Sequence, residues 1–205
     1  MELREAMHTA RAIRRYTPDP IDPAVMYRCL EAATWAPSGG NQQPWRFIVL
    51  NSPEARNALA IGAKYALDSI MTLYGIERPA DDDNSPKARN SRAVLELHEG
   101  ARDVPGAVLF CLKPQPNTPP SQTGASIFPA MQNFMLAARA EGLGTVSVGW
   151  QSAETAFRSA LAIPDDWELS GLVICGWPRG HHGPVRRKPV EKVAYLDRWD
   201  NPYTL

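Results

Sequence analysis

A chain of 205 residues, 44% hydrophobic and 21% charged, supports one globular domain, with or without an excursion, around a real core. Lys plus Arg and Asp plus Glu each total 22, so the formal net charge is zero, which argues against nucleic acid as the main partner and does not oppose self-association. The longest apolar runs, "AVLFCL" and "GLVIC", fall far short of the roughly 20 residues of a membrane span, and the N-terminus carries Glu2 and Glu5 with no apolar signal core, so the cytoplasm is the expected compartment.

Leu3, Ala6, Met7 and Ala10 follow helical spacing and predict a first amphipathic helix, which runs into the basic, then proline-rich "RAIRRYTPDPI". Asp22 and Pro23 pair as N-cap and first-turn residue of a second helix reaching about Trp35, with Val25, Met26, Cys29, Leu30 and Ala33 inward. Pro37 ends it. A strand follows over Trp45 to Leu50, and Ser52–Pro53 opens another helix. From about Gly62 to Arg92 the signal weakens: "KYALDSIMTLYG" is compatible with helix, but "ERPADDDNSPKARNSR" is polar and rich in breakers, which suggests a lid or binding excursion.

"AVLFCL" is a buried strand and "KPQPNTPPSQ" a surface loop. The clearest helix is "GASIFPAMQNFMLAARAEG": Ile127, Met131, Phe134, Met135 and Ala138 recur every three or four residues, Gly142 is its C-cap, and Pro129 requires a start near Ser126. "GTVSVGW" reads as a strand, Ser152 to Ala162 as a short helix and "ELSGLVICGW" as another strand, before a loop and an extended or short helical tail. No repeat or domain boundary interrupts residues 1–205, and the unalternating order favours α+β over a doubly wound fold. Cys29, Cys111 and Cys175 all fall in apolar runs and read as buried thiols.

Common chemical signatures are missing. "GLGTVS" follows a helix and precedes a strand, the wrong context for a dinucleotide loop, and there is no phosphate loop, GxSxG or HExxH. His181 and His182 are adjacent in a glycine-flanked loop and do not form a metal set; Asp81 to Asp83 lack calcium-loop spacing. Two arginine clusters remain, Arg11, Arg14 and Arg15 near the start and Arg186, Arg187 and Lys188 near the end. A helical turn would put Arg11 and Arg14 on one side. Each cluster alone reads as a solvated face; together they suit a phosphate clamp.

"RAIRRYTPDP", "APSGGNQQPW", "AARAEGLGT" and "RKPVEKV", in this order and spacing, resemble the four motifs of the nitroreductase family of FMN-dependent oxidoreductases, nearly end to end. The resemblance implies an α+β, nitroreductase-like fold: a central, mostly antiparallel sheet flanked by helices, in an interlocked homodimer with FMN at each subunit interface. It implies that Arg11 binds the phosphate, that Arg14 lies near the ribityl chain and the N1/O2 edge, and that Arg187 is the C-terminal phosphate ligand. Pro37, Ser38, Gly39 and Asn41 would approach the flavin held mainly by the other subunit, their small side chains admitting backbone to a flat ring. Gly149, after Val148, matches the place where a backbone N–H faces N5. Gln43, Pro44 and Trp45 set the loop against the strand, and Pro129 lies either against the flavin region or in the core. This chain departs from the pattern at Ala12, where a serine hydroxyl is often found, and at Val185, usually basic; the phosphate then has fewer donors, or Arg186 replaces one.

By the same resemblance the protein uses NADH or NADPH to reduce electron-poor acceptors such as nitroaromatics or quinones, in ping-pong order, the flavin carrying the redox chemistry and the protein supplying placement and electrostatics. No basic residue is assignable to a 2′-phosphate, so the donor stays open. Tyr65, Tyr74 and the 62–92 segment would shape acceptor choice. The rival readings are a reductive dehalogenase, which Lys64, Tyr65 and Glu77 leave open, a flavin-consuming enzyme on the same fold, and a non-catalytic flavin carrier or sensor.

Overall fold

Every residue of the "GAVLFCL" run is buried, so a strand there must be covered on both faces. The structure, a computed structural model, describes residues 1–74, 78–116 and 118–204, and shows how. In chain order the elements are α1 (Leu3–Thr9), α2 (Pro23–Thr34), β1 (Trp45–Val49), α3 (Pro53–Tyr74), α4 (Pro86–Glu99), β2 (Gly106–Leu112), α5 (Pro120–Thr123), α6 (Ile127–Ala140), β3 (Gly144–Val148), α7 (Glu154–Leu161) and β4 (Glu168–Gly176). The strands form one antiparallel sheet in the order β1-β2-β4-β3. The fold is α+β.

Alternation along β2 splits the core in two. Ala107, Leu109 and Cys111 join Leu59, Trp150, Phe157 and Ile174 on the α3 and α7 side; Val108, Phe110 and Leu112 join Cys29, Ile127, Phe134 and Val173 on the α2 and α6 side. The inward residues expected of α2 and α6 are buried or half-buried. All three thiols are free and buried, and burial pushes Cys29 and Cys111 up to about 11, far from reactive thiolates.

Two local readings change. The 62–92 segment is mostly helical: α3 continues to Tyr74, and α4 starts inside the polar run, where Ser85 accepts the Ala88 N–H at 3.1 Å ahead of Pro86. That serine–proline pair is an N-cap and N1 signature outvoted by the surrounding polar composition. In α1 only Ala6 is buried; Leu3 and Met7 are 65% and 56% exposed, so its apolar face is uncovered within one chain. Among the described residues no helix is long and apolar enough to cross a membrane.

Candidate active site

β3 is an edge strand, and the arginine-bearing N-terminal run docks on its free edge. The run is extended, not helical: α1 ends at Thr9, Ala10 turns to ψ 124°, Ala12 forms a parallel bridge with Thr145, and the Ile13 N–H donates to the Thr145 carbonyl at 2.9 Å. Gly144 permits this approach, since a Cβ there would lie 2.7 Å from Ile13. The ladder then stops. The Ile13 carbonyl accepts the Tyr16 hydroxyl at 2.5 Å, and burial pushes that hydroxyl far up, so it stays a donor. Because the Thr145 carbonyl points to the free edge, the two-residue period turns the backbone of Ser147 and Gly149 the same way. Among the described residues neither of their N–H groups has a partner, and a Cβ on Gly149 would meet nothing within 4 Å.

Those groups open onto a cavity of about 520 Å³, walled by Arg14, Tyr65, Ile70, Val94, His98, Val148, Gly149 and Trp150. Its walls come from α3, α4, the end of β3 and the extended run. Arg14 is half-buried, and its guanidinium donates to the Asn90 side-chain oxygen at 3.4 Å; among the described residues it has no carboxylate partner. Arg15 beside it is committed elsewhere, in a two-pronged pair with Glu96 at 2.6 and 2.7 Å. The Arg15 hydrogen bonds hold the Glu96 carboxyl below the usual carboxylate range. His98 Nδ1 lies 2.7 Å from the Val94 carbonyl, and burial lowers its basicity, with Arg14 acting the same way. Its ring meets fully buried Trp150 edge-on at 5.1 Å. Among the described residues the cavity thus has apolar walls, one guanidinium without a carboxylate partner, and outward backbone N–H groups at one end. Asn90 and His98 escaped sequence reading because both lie on α4.

The remaining candidates go to three other places. Arg11 does not join Arg14: the extended backbone sends it to a smaller cavity, where it donates to the Gly183 carbonyl at 3.2 Å. Ala12 is spent on the bridge to Thr145. The tail does come to the N-terminus, since the Val185 N–H donates to the His8 carbonyl at 2.9 Å. Arg186 and Arg187 follow as exposed residues, Arg187 donating to the Arg186 carbonyl, and they line neither cavity. Pro37, Ser38, Gly39 and Asn41 lie just before β1, at the opposite sheet edge. There Ser38 Oγ accepts the Gln43 N–H at 3.0 Å, and Gly40, Asn41 and Gln43 hold positive φ. Gly39 faces open space. Glu77 lies outside the described residues.

Three comparisons bear on this arrangement. Residues 8–177 match the model of the nitroreductase family. The chain belongs to the nitroreductase family. It is an oxidoreductase of that family by this match and by its relatives. It is 30% identical over 202 residues to 5,6-dimethylbenzimidazole synthase of Rhodospirillum rubrum, covering 94% of this chain and 88% of that protein. Among solved structures, a mutant of the FMN- and NADPH-dependent nitroreductase NfnB from Sphigopyxis sp. strain HMH superposes with a TM-score of 0.72 at 21% identity, over 97% of this chain and 100% of that one. Iodotyrosine deiodinase bound to FMN and 3-iodo-L-tyrosine gives 0.71 at 18% identity, over 98% and 100%. These two likenesses speak for the nitroreductase-like fold alone.

Proposed function

We propose that this nitroreductase-family protein binds FMN beside Arg14 and uses NADH or NADPH to reduce electron-poor acceptors in ping-pong order. The observation that carries the reading is the cavity at the end of β3. Apolar walls suit a flat ring, the outward Gly149 N–H suits its central edge, and a half-buried guanidinium with no carboxylate partner among the described residues suits an edge where negative charge grows. When bound, FMN would supply the two-electron chemistry, taking hydride from the nucleotide and passing it to the acceptor. Arg14 would stabilise the N1/O2 edge, and the Gly149 backbone would orient the ring, with Val148 beside it. Tyr65 and Ile70 on α3 would bear on acceptor choice, in keeping with a lid role for the 62–92 segment.

The functional unit we propose is a homodimer, with Pro37, Ser38, Gly39 and Asn41 serving the partner's flavin. One chain carries that loop beside β1 and Arg14 on the run docked outside β3, four strand spacings or roughly 19 Å apart, so it does not assemble both around one ring by itself. Exposed apolar groups on α1 and on the tail support the same arrangement, Trp199 being 86% exposed and stacked on Tyr195. Arg186 or Arg187 would reach the phosphate once the tail is packed.

The test is spectral. The purified protein is expected to be yellow, to release FMN on denaturation, and to bleach when NADH or NADPH is added without oxygen. A colourless protein that ignores added FMN would overturn the proposal, and a yellow one that neither nucleotide bleaches would make it a carrier. The dimethylbenzene unit in the name of the synthase relative also occurs in the flavin ring, which favours one second reading, flavin consumption; loss of flavin absorbance over many oxygen-exposed turnovers would select it.

A further inference from the structure

Between the end of α1, the Ala10–Ile13 run, the last turn of α6 and the Pro178–His182 loop lies a cavity of about 230 Å³ that shares no lining residue with the one beside Arg14. Among the described residues no Asp or Glu lines it. Its ionisable groups are the guanidinium groups of Arg11 and Arg139 and the imidazoles of His181 and His182. Arg28, Arg15 and Arg158 each pair with a carboxylate, but among the described residues neither Arg11 nor Arg139 does. Arg139 is half-buried, and its Nε donates to the Thr9 hydroxyl at 2.9 Å. That bond fixes the plane of the fork and leaves the terminal nitrogens without a partner among the described residues. A second unspent group sits beside them: Thr145, only 6% exposed, lines the cavity, and its hydroxyl makes no hydrogen bond among the described residues.

A half-buried guanidinium with no counter-charge is costly unless an anion completes it, and two forks converging from separate elements match tetrahedral oxygens. We propose that this cavity is a phosphate site in which Arg139, which lies within "AARAEGLGT" but has no ligand role by the resemblance, is paired with Arg11, and Thr145 of the same stretch offers a hydroxyl. The serine hydroxyl absent at position 12 is thereby replaced from β3. The phosphate belongs either to FMN itself or to the 2′-position of the nucleotide donor. This choice rests on the function proposed above; the cavity's affinity for phosphate does not.

The experiment compares the wild-type protein with Arg139→Gln and Arg139→Lys. Affinities for FMN and for riboflavin are measured by flavin fluorescence, and KM for NADPH and for NADH by nucleotide oxidation. Arg139→Gln is expected to weaken one phosphate-bearing ligand by about tenfold or more relative to its counterpart lacking that phosphate, with Arg139→Lys in between. A loss confined to FMN over riboflavin assigns the flavin phosphate; one confined to NADPH over NADH assigns the nucleotide. A merely structural Arg139 would change both members of each pair alike, and that result overturns the proposal. Should no flavin bind and no nucleotide be oxidised, the reading of function fails separately. Titration with inorganic phosphate then decides: wild-type binding that Arg139→Gln weakens tenfold upholds the site, and equal or absent binding ends it.

Discussion

Arg14 differs from Arg15, its neighbour, in what it lacks. Arg15 is held by Glu96 at 2.6 Å, whereas among the described residues Arg14, like Arg11 with the Gly183 carbonyl, contacts only a neutral oxygen. A charge kept free in a half-buried place is available to a ligand. His98 on the same wall, its basicity lowered by burial, adds no competing cation at neutral pH. Replacing Arg14 with Gln keeps a hydrogen-bond donor and removes the charge, so it separates electrostatics from packing. The expected result is a fall of about 10²-fold in the rate of flavin reduction, with a lower flavin potential, while thermal stability stays near wild type. Stopped-flow bleaching and a potential titration check it; an unchanged potential would show that Arg14 does not face the ring.

At the scale of elements, the motif "GLGT" has a structural cause independent of any ligand. Gly142 ends α6 at φ +92°, a turn that L side chains rarely adopt, and Gly144 admits Ile13 against β3. A methyl at Gly144 meets the branched Ile13 side chain at 2.7 Å, and Ile13 is itself buried. Gly144→Ala should therefore cost about 1–3 kcal/mol in chemical denaturation and weaken flavin binding, by lifting the run that carries Arg14 from the strand. Elements with strong local signals were legible from sequence: α2 with its Asp22 cap, α6 with its apolar spacing and β2 with its unbroken apolar run. The Arg11–Arg14 geometry was not, because a parallel bridge to Thr145, 133 positions beyond Ala12 (145 − 12), overrides the helical continuation. Arg139 was illegible for a similar reason, since in a helix's last turn it reads as a solvated, dipole-compensating cation until Thr9 and Arg11 are brought beside it.

For the whole molecule, the deciding fact is that the sheet carries its two sets of small-residue and arginine motifs on opposite edges. Arg14, Val148 and Gly149 belong to the β3 edge, and Pro37 to Asn41 to the β1 edge. If one flavin needs both, each site is divided between two chains related by a two-fold axis. Gly39 gives a clean way to ask, because a Cβ there meets nothing within 4 Å among the described residues of its own chain and φ is unstrained. Gly39→Trp should fold normally yet block a partner's ring, and Arg14→Gln should impair the ring in its own chain. Each variant alone has two defective sites per dimer. In a mixed dimer one site receives both defects and the other receives none. Statistical mixing makes about half the dimers mixed, so activity should return to about a quarter of wild type when the two inactive variants are co-expressed. Sedimentation of the wild type at twice 22.6 kDa would accompany that result. Mixing without any rescue, from variants that still dimerise, would show that each chain builds its site alone.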